Sequence, residues 1–199
     1  TALNRLLNKN KIKKIIKGKY TLYDDIFIIA TNIYPPSYLS FWSCSYFKGY
    51  TEQIVNTIQI ATTTQKKKID FENYMIKFIK MKKEMFFGFE KIKYADSFIF
   101  VAEDEKLIID SIYYENEMGN LDEIIKIIKN SKIQKEKIIN YLKKINNKSL
   151  TKRIGFLLEK YKNIDISKEI GYSDKNIVQL SKYTKNKKIN KKWQVKHDI

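Results

Sequence analysis

The sequence predicts an α/β fold of the α+β kind, and three observations predict it. Short apolar or alternating runs at residues 54–62, 74–80 and 98–101 have the length and period of strands. From Glu103 onward the apolar residues recur at helical spacing instead, over four successive segments. Ahead of both lies a short basic head that reads as one helix followed by a hairpin. With 199 residues, 43% of them hydrophobic and 14% aromatic, the chain has enough apolar mass for a packed core.

Taken in order, residues 1–7 set Leu3, Leu6 and Leu7 at helical spacing, with Asn8 and Asn10 as stop residues. Residues 11–16 read as a strand, Lys17-Gly18 as its turn, and residues 19–23 as the returning strand. A helix followed by a lysine-studded hairpin is the back half of a winged helix-turn-helix: the recognition-helix end and the wing. That reading places a partial winged-helix segment at residues 1–25 and a mixed strand-and-helix domain with a basic tail at residues 26–199. A complete winged helix-turn-helix needs three helices before its wing, and this head supplies about one.

Residues 24–34 read as an apolar connection, and Pro35-Pro36 as a firm boundary. Ser37 is an N-cap for a helix through Phe47, with Tyr38, Phe41, Trp42 and Ser45 on one face and Gly49 beyond its end. In residues 54–62, Ile54, Ile58 and Ile60 share one parity and Thr57 and Gln59 the other, which predicts a half-buried strand. Residues 74–80 are a second strand, and the continuous apolar run 98–101 suits a covered one. Leu107, Ile108, Ser111 and Ile112 then share a helical face. Asn120 with Glu123 resembles a capping box before Leu121, Ile124, Ile125 and Ile128. Ile138, Tyr141, Leu142 and Ile145 mark another helix. Ser149 is read as the cap of the helix carrying Leu150, Ile154, Leu157, Leu158 and Tyr161.

The formal net charge is +17, carried almost wholly by lysine, since Arg5 and Arg153 are the two arginines. A polyanion partner is one reading, and a lysine-rich solvated surface of the kind seen in AT-rich genomes is the other. Where the lysines cluster decides between them. The single Cys44 excludes an internal disulfide, and the single His197 excludes a histidine-rich metal site. No run approaches the roughly 18–20 apolar residues of a membrane span, and the start has no signal-peptide core. The expected location is cytoplasmic, with no membrane partner and no cofactor.

Read in order, several segments resemble one family. Ile15-Ile16-Lys17-Gly18-Lys19-Tyr20-Thr21-Leu22 is like a wing hairpin, and Tyr34-Pro35-Pro36-Ser37-Tyr38-Leu39-Ser40-Phe41-Trp42-Ser43 is like a PSYLS-type helix. Gly49-Tyr50-Thr51-Glu52-Gln53-Ile54 and the strand from Ile58 follow, then Phe86-Phe87-Gly88-Phe89-Glu90. Two further segments, Ala102-Glu103-Asp104-Glu105-Lys106-Leu107-Ile108-Ile109-Asp110-Ser111 and Ser149-Leu150-Thr151-Lys152-Arg153-Ile154-Gly155-Phe156-Leu157-Leu158-Glu159, complete the series. This order resembles the AbiE-type antitoxins, described as transcriptional regulators of viral defence systems. A histidine usual before the glycine of the third motif is Lys48 here. The resemblance implies an antitoxin of a type IV toxin–antitoxin (abortive infection) system. Such a protein represses its own operon through double-stranded operator DNA and counters a nucleotidyltransferase-like toxin, without a stable complex being required. Paired or palindromic operators would favour an oligomer.

Chemistry is expected first in the head. Residues 1–25 hold seven basic residues against Asp24 and Asp25. Arg5, Lys9, Lys13, Lys14, Lys17, Lys19 and Tyr20 are the candidate DNA contacts. Lysines on a hairpin fix register on phosphates without reading sequence, whereas base readout would fall to Asn4 and Arg5 at the helix end. The alternative is a lysine-protected strand edge.

An enzymatic alternative sits at Asp104-Glu105-Lys106. It resembles the D/E-x-K half of a restriction-type nuclease site, with Asp96 or Asp70 as the further acid that Mg²⁺ would need. Against it stands an ordinary acidic first helical turn, favoured by the helix dipole. A non-enzymatic protein–protein adaptor is the third reading. Cys44 reads as a packing residue, and Tyr38, Phe41, Trp42 and Tyr46 as core aromatics before base-stacking ones. In the tail, Lys182, Lys185, Lys187, Lys188, Lys191, Lys192 and Lys196 make a second basic cluster anchored by Trp193 and Val195. It either joins the head on nucleic acid or is a loose end.

Overall fold

In the computed structural model, which describes residues 2–171, 176–182, 184 and 188–199, the helices and strands follow the α/β pattern the sequence predicts. They divide into two units: Thr1–Cys44 with Gln53–Ala102, and Ser45–Glu52 with Glu103–Ile199. The head therefore groups with the strands that follow it, and the division falls elsewhere than residue 25.

The first unit begins with α1 (Ala2–Asn8), which buries none of its residues. It stops where Asn10 takes a left-handed φ of 52°, a conformation Asn tolerates at a helix end. The strands β1 (Lys13–Ile16) and β2 (Lys19–Thr21) pair antiparallel around Gly18, whose φ of 78° suits the tight turn. The apolar connection expected at residues 24–34 is instead a helix, α2 (Ile26–Asn32). The Asp25 carboxylate caps it, accepting from the Phe27 and Ile28 N–H groups at 2.9 and 3.1 Å. A run of isoleucine is ambiguous by periodicity, and the cap decides it.

Residues 37–39 are not the first turn of a helix either. They form β3 (Ser37–Leu39), a fully buried strand, and α3 (Phe41–Phe47) starts after it. Leu39 and its neighbours pair antiparallel with β4 (Thr57–Thr62), and Leu39 pairs parallel with β8 (Ser97–Ala102). The ladder hydrogen bonds of a central strand override local helix signals. With β5 (Ile69–Phe71), β6 (Tyr74–Lys80) and β7 (Phe89–Tyr94), these strands complete a mixed six-stranded sheet in the order β5-β6-β4-β3-β8-β7. Pro35-Pro36, with a cis bond, joins α2 to this sheet inside one unit and is not a boundary between units. β4 is buried on both faces, Gln59 included, because the Gln59 side chain accepts the Trp42 N–H at 2.9 Å. The alternation that predicted a half-buried strand thus marks polar satisfaction and not solvent.

The second unit is helical at its centre: α4 (Asp104–Tyr113), α5 (Leu121–Asn130), α6 (Lys135–Ile145), α7 (Lys148–Lys162) and α8 (Ser167–Ile170). Asn120 caps α5 through the Glu123 N–H at 2.9 Å, as its spacing predicts. The cap of α7 is Asn147, which accepts from the Leu150 N–H at 2.9 Å, and not Ser149, which lies inside the helix. The strands β9 (Val178–Gln179), β10 (Lys188–Asn190) and β11 (Val195–His197) form a small sheet in the order β10-β11-β9. Trp193 and Val195 are buried, and the His197 ring packs 4.7 Å from that of Phe156. This end of the chain is anchored, contrary to the loose-end reading. No described helix is long and apolar enough to cross a membrane.

Candidate nucleic-acid interface

The β1–β2 hairpin sorts its lysines by strand geometry, since successive side chains leave opposite faces. Lys13 turns onto acids: its Nζ lies 2.5 Å from Asp24 Oδ1 and 2.8 Å from Glu72 Oε1. The hydrogen bond to Asp24, then that to Glu72, holds its ammonium above the ordinary lysine range. Lys19 donates to the Ile33 carbonyl at 2.7 Å, at the carboxyl end of α2, and lies 4.7 Å from the centre of the Tyr34 ring. These two side chains tie the hairpin to its own unit.

Lys14, opposite Tyr20 across the ladder, and Lys17, in the turn, are exposed and form no ion pair with a described residue. Arg5 and Lys9 are exposed at the end of α1. Tyr20 is half-buried and lines a cavity of about 540 Å³ with Ile15, Leu22, Ile28 and Ile29, so its ring belongs to a wall. The seven residues selected from sequence thus split three ways. Four cations face solvent, two are engaged by their own unit, and one tyrosine lines a cavity.

The D/E-x-K segment occupies the first turn of α4, and its three side chains serve different partners. The Asp104 carboxylate accepts from Lys48 Nζ at 2.5 Å, from the Tyr50 hydroxyl at 2.7 Å and from the Lys132 N–H at 2.7 Å. Burial pushes this carboxyl up, but the three donors together outweigh it and hold it below the usual range. Glu105 is buried and accepts the Gln134 N–H at 2.7 Å. Lys106 is wholly buried and hydrogen-bonded to Asp110, one helical turn on. Its desolvation, opposed by that carboxylate, pulls the ammonium below the ordinary value. Among the described residues, no group of three or more His, Cys, Asp or Glu side chains is placed to hold a metal ion. The side chains of the nuclease-like half-site are thus engaged by different partners of their own unit.

Of the remaining candidates, Cys44, Tyr38 and Phe41 fall into the core as read, whereas Trp42 is half-buried and Tyr46 is exposed. Cys44 is buried, its Sγ donating to the Ala102 carbonyl at 3.8 Å. Tyr38 stacks on Phe89 with ring centres 4.5 Å apart, and Phe41 is fully buried. In the tail, Lys192 bridges Glu159 and Asp165, each at 2.8 Å, and so staples the small sheet to α7 and the turn beyond it. Lys188 and Lys191 are exposed, whereas Lys185 and Lys187 lie outside the described residues.

Sequence reasoning missed Lys66 and Tyr34. The Lys66 ammonium lies 4.7 Å from the centre of the Tyr34 ring, which it shares with Lys19. A signal was there to be read: Thr62-Thr63-Thr64-Gln65-Lys66-Lys67-Lys68 places hydroxyls and ammonium groups directly after a strand.

The sequence matches no protein-family model, and no curated protein matches it.

Proposed function

We propose that this chain is a non-enzymatic AbiE-type antitoxin that represses its own operon and counters a nucleotidyltransferase-like toxin. In this reading residues 1–25 are the end of a recognition helix and the wing of a winged helix-turn-helix, acting on double-stranded operator DNA in the cytoplasm. One observation carries it: Lys14 and Lys17 project unpaired with any described carboxylate from a two-stranded hairpin, next to exposed Arg5 and Lys9. Long, mobile point charges on a wing suit phosphate contact, which supplies register and salt-dependent affinity without sequence information. The ordered motif resemblance supplies the toxin half of the reading.

The test has two arms. The gene next to this one is expressed alone and together with this chain, and growth is followed. The chain is also titrated against its own upstream DNA. Rescue of growth from a neighbouring nucleotidyltransferase, together with retention of the upstream duplex, is the expected result. No rescue and no preference for upstream DNA would overturn the reading.

A further inference from the structure

A second cavity, of about 290 Å³, opens at the carboxyl end of β4, where Thr62 closes the strand and Thr63, Thr64 and Lys66 follow. Lys19 reaches its wall from the hairpin, and Tyr34 and the two prolines form another side. In open α/β sheets the carboxyl ends of strands are where ligands collect. Among the described residues lining this cavity there is no carboxylate.

Its electrostatics are unbalanced. Both ammonium groups lie 4.7 Å from the centre of one tyrosine ring, so they stand within about 10 Å of each other, the Debye length at 0.1 M salt. The Tyr34 face attracts each cation but does not neutralise either. Lys19 gives one donor to the Ile33 carbonyl and has two N–H groups left. Lys66 makes no ion pair or hydrogen bond with a described residue through its ammonium. Three threonines add hydroxyls at the same mouth. Ammonium and hydroxyl groups lining one cavity, with no acid among its described lining residues, suit a tetrahedral oxyanion.

We propose that this cavity binds a phosphate group presented by a nucleic-acid backbone, with Lys19 and Lys66 as its charged donors and Thr63 and Thr64 as hydroxyl donors. The choice of backbone as the source of the phosphate rests on the function proposed above. The site extends contact from the wing onto residues that follow the sheet strand β4, beyond the residue-25 limit of the head. Lys66 is the discriminating residue, because Lys19 also holds the end of α2 and its loss would disturb the fold.

The test uses the full chain, as wild type, Lys66→Ala and Lys66→Arg. Inorganic phosphate is titrated at constant ionic strength while the backbone amide resonances of Thr63, Thr64 and Lys66 are followed. In parallel, affinity for a labelled DNA duplex is measured by anisotropy between about 50 and 200 mM salt. Phosphate is expected to move these resonances in wild type and Lys66→Arg but not in Lys66→Ala. Lys66→Ala is expected to bind the duplex several-fold more weakly, with the logarithmic salt slope reduced by about 0.9, one phosphate contact. Silent resonances and a duplex affinity independent of Lys66, while Lys14 and Lys17 still matter, would overturn this site and leave the hairpin reading standing. A phosphate response that needs Lys66, with no duplex binding by any version, would overturn the backbone as the source and the proposed function with it.

Discussion

A β-carbon built on Gly155 would lie 2.1 Å from Cζ3 of Trp193, so the indole packs onto α7 where that helix has no side chain. Trp193 is fully buried, and its Nε1 donates to Glu159 Oε2 at 2.5 Å, one turn along the same helix. A glycine inside a helix costs about 1 kcal/mol relative to alanine. Here it makes room for the largest side chain in the core of its unit. Gly155→Ala should therefore lower stability despite the gain in propensity, by a net of about 1–3 kcal/mol from overpacking. Urea denaturation checks this, and a higher midpoint for Gly155→Ala would contradict the packing.

The Lys48 ammonium is bound to the Asp104 carboxylate. Because Lys48, Tyr50 and the Lys132 N–H outweigh burial, the folded Asp104 carboxyl titrates below its unfolded value of about 3.9. Between those two values the unfolded chain binds more protons, so folding is favoured as pH rises. The contribution is complete above the unfolded value and is lost as pH falls through the folded one. Asp104→Asn should cost about 1–3 kcal/mol at neutral pH. The gap between variant and wild type should close in strong acid, read from urea midpoints across the pH range.

Lys106 and Asp110 bind each other with no exposed surface on either side chain. Removing one partner takes this ion pair from a charge that stays fully buried. Lys106→Ala should therefore destabilise the chain by roughly 3–5 kcal/mol, whereas an apolar pair such as Lys106→Met with Asp110→Leu should be close to neutral. A nuclease lysine would behave differently, leaving a folded but inactive protein. Thermal melting of both variants, beside a Mg²⁺-dependent plasmid cleavage assay, separates the two.

How far the fold was legible follows from where local and tertiary forces agree. Strand β6 and helices α4 to α7 read correctly because each has a clean period and apolar residues enough to fix its face. Residues 37–39 misled because Ser37 and the aromatics after it suit a helix start, while the pairing of Leu39 with Ile60 and Val101 makes them a central strand. Pairing partners 21 and 62 residues away leave no local trace. Among the candidate contacts, sequence identifies charge but not direction. Lys13 and Lys14 are neighbours, yet one faces Asp24 and Glu72 and the other solvent. Lys66 escaped notice because the ring it shares with Lys19 sits on a different segment of the chain.

That difference between neighbours makes the hairpin reading testable residue by residue. If the exposed cations touch phosphates, Lys14→Ala with Lys17→Ala should reduce the logarithmic salt slope of duplex binding by about 1.8, two contacts at roughly 0.9 each. Lys13→Ala should leave that slope unchanged, because its ammonium is already neutralised by Asp24 and Glu72. Its effect should appear instead as a lower thermal midpoint, since the hairpin loses its tie to the β5–β6 turn that carries Glu72. Anisotropy titrations at several salt concentrations, with melting curves for each variant, give both readouts. Wild-type slopes for both variants would mean that the hairpin lysines only solvate a strand edge, and a slope change confined to Lys13→Ala would place the phosphate on the opposite face of the hairpin.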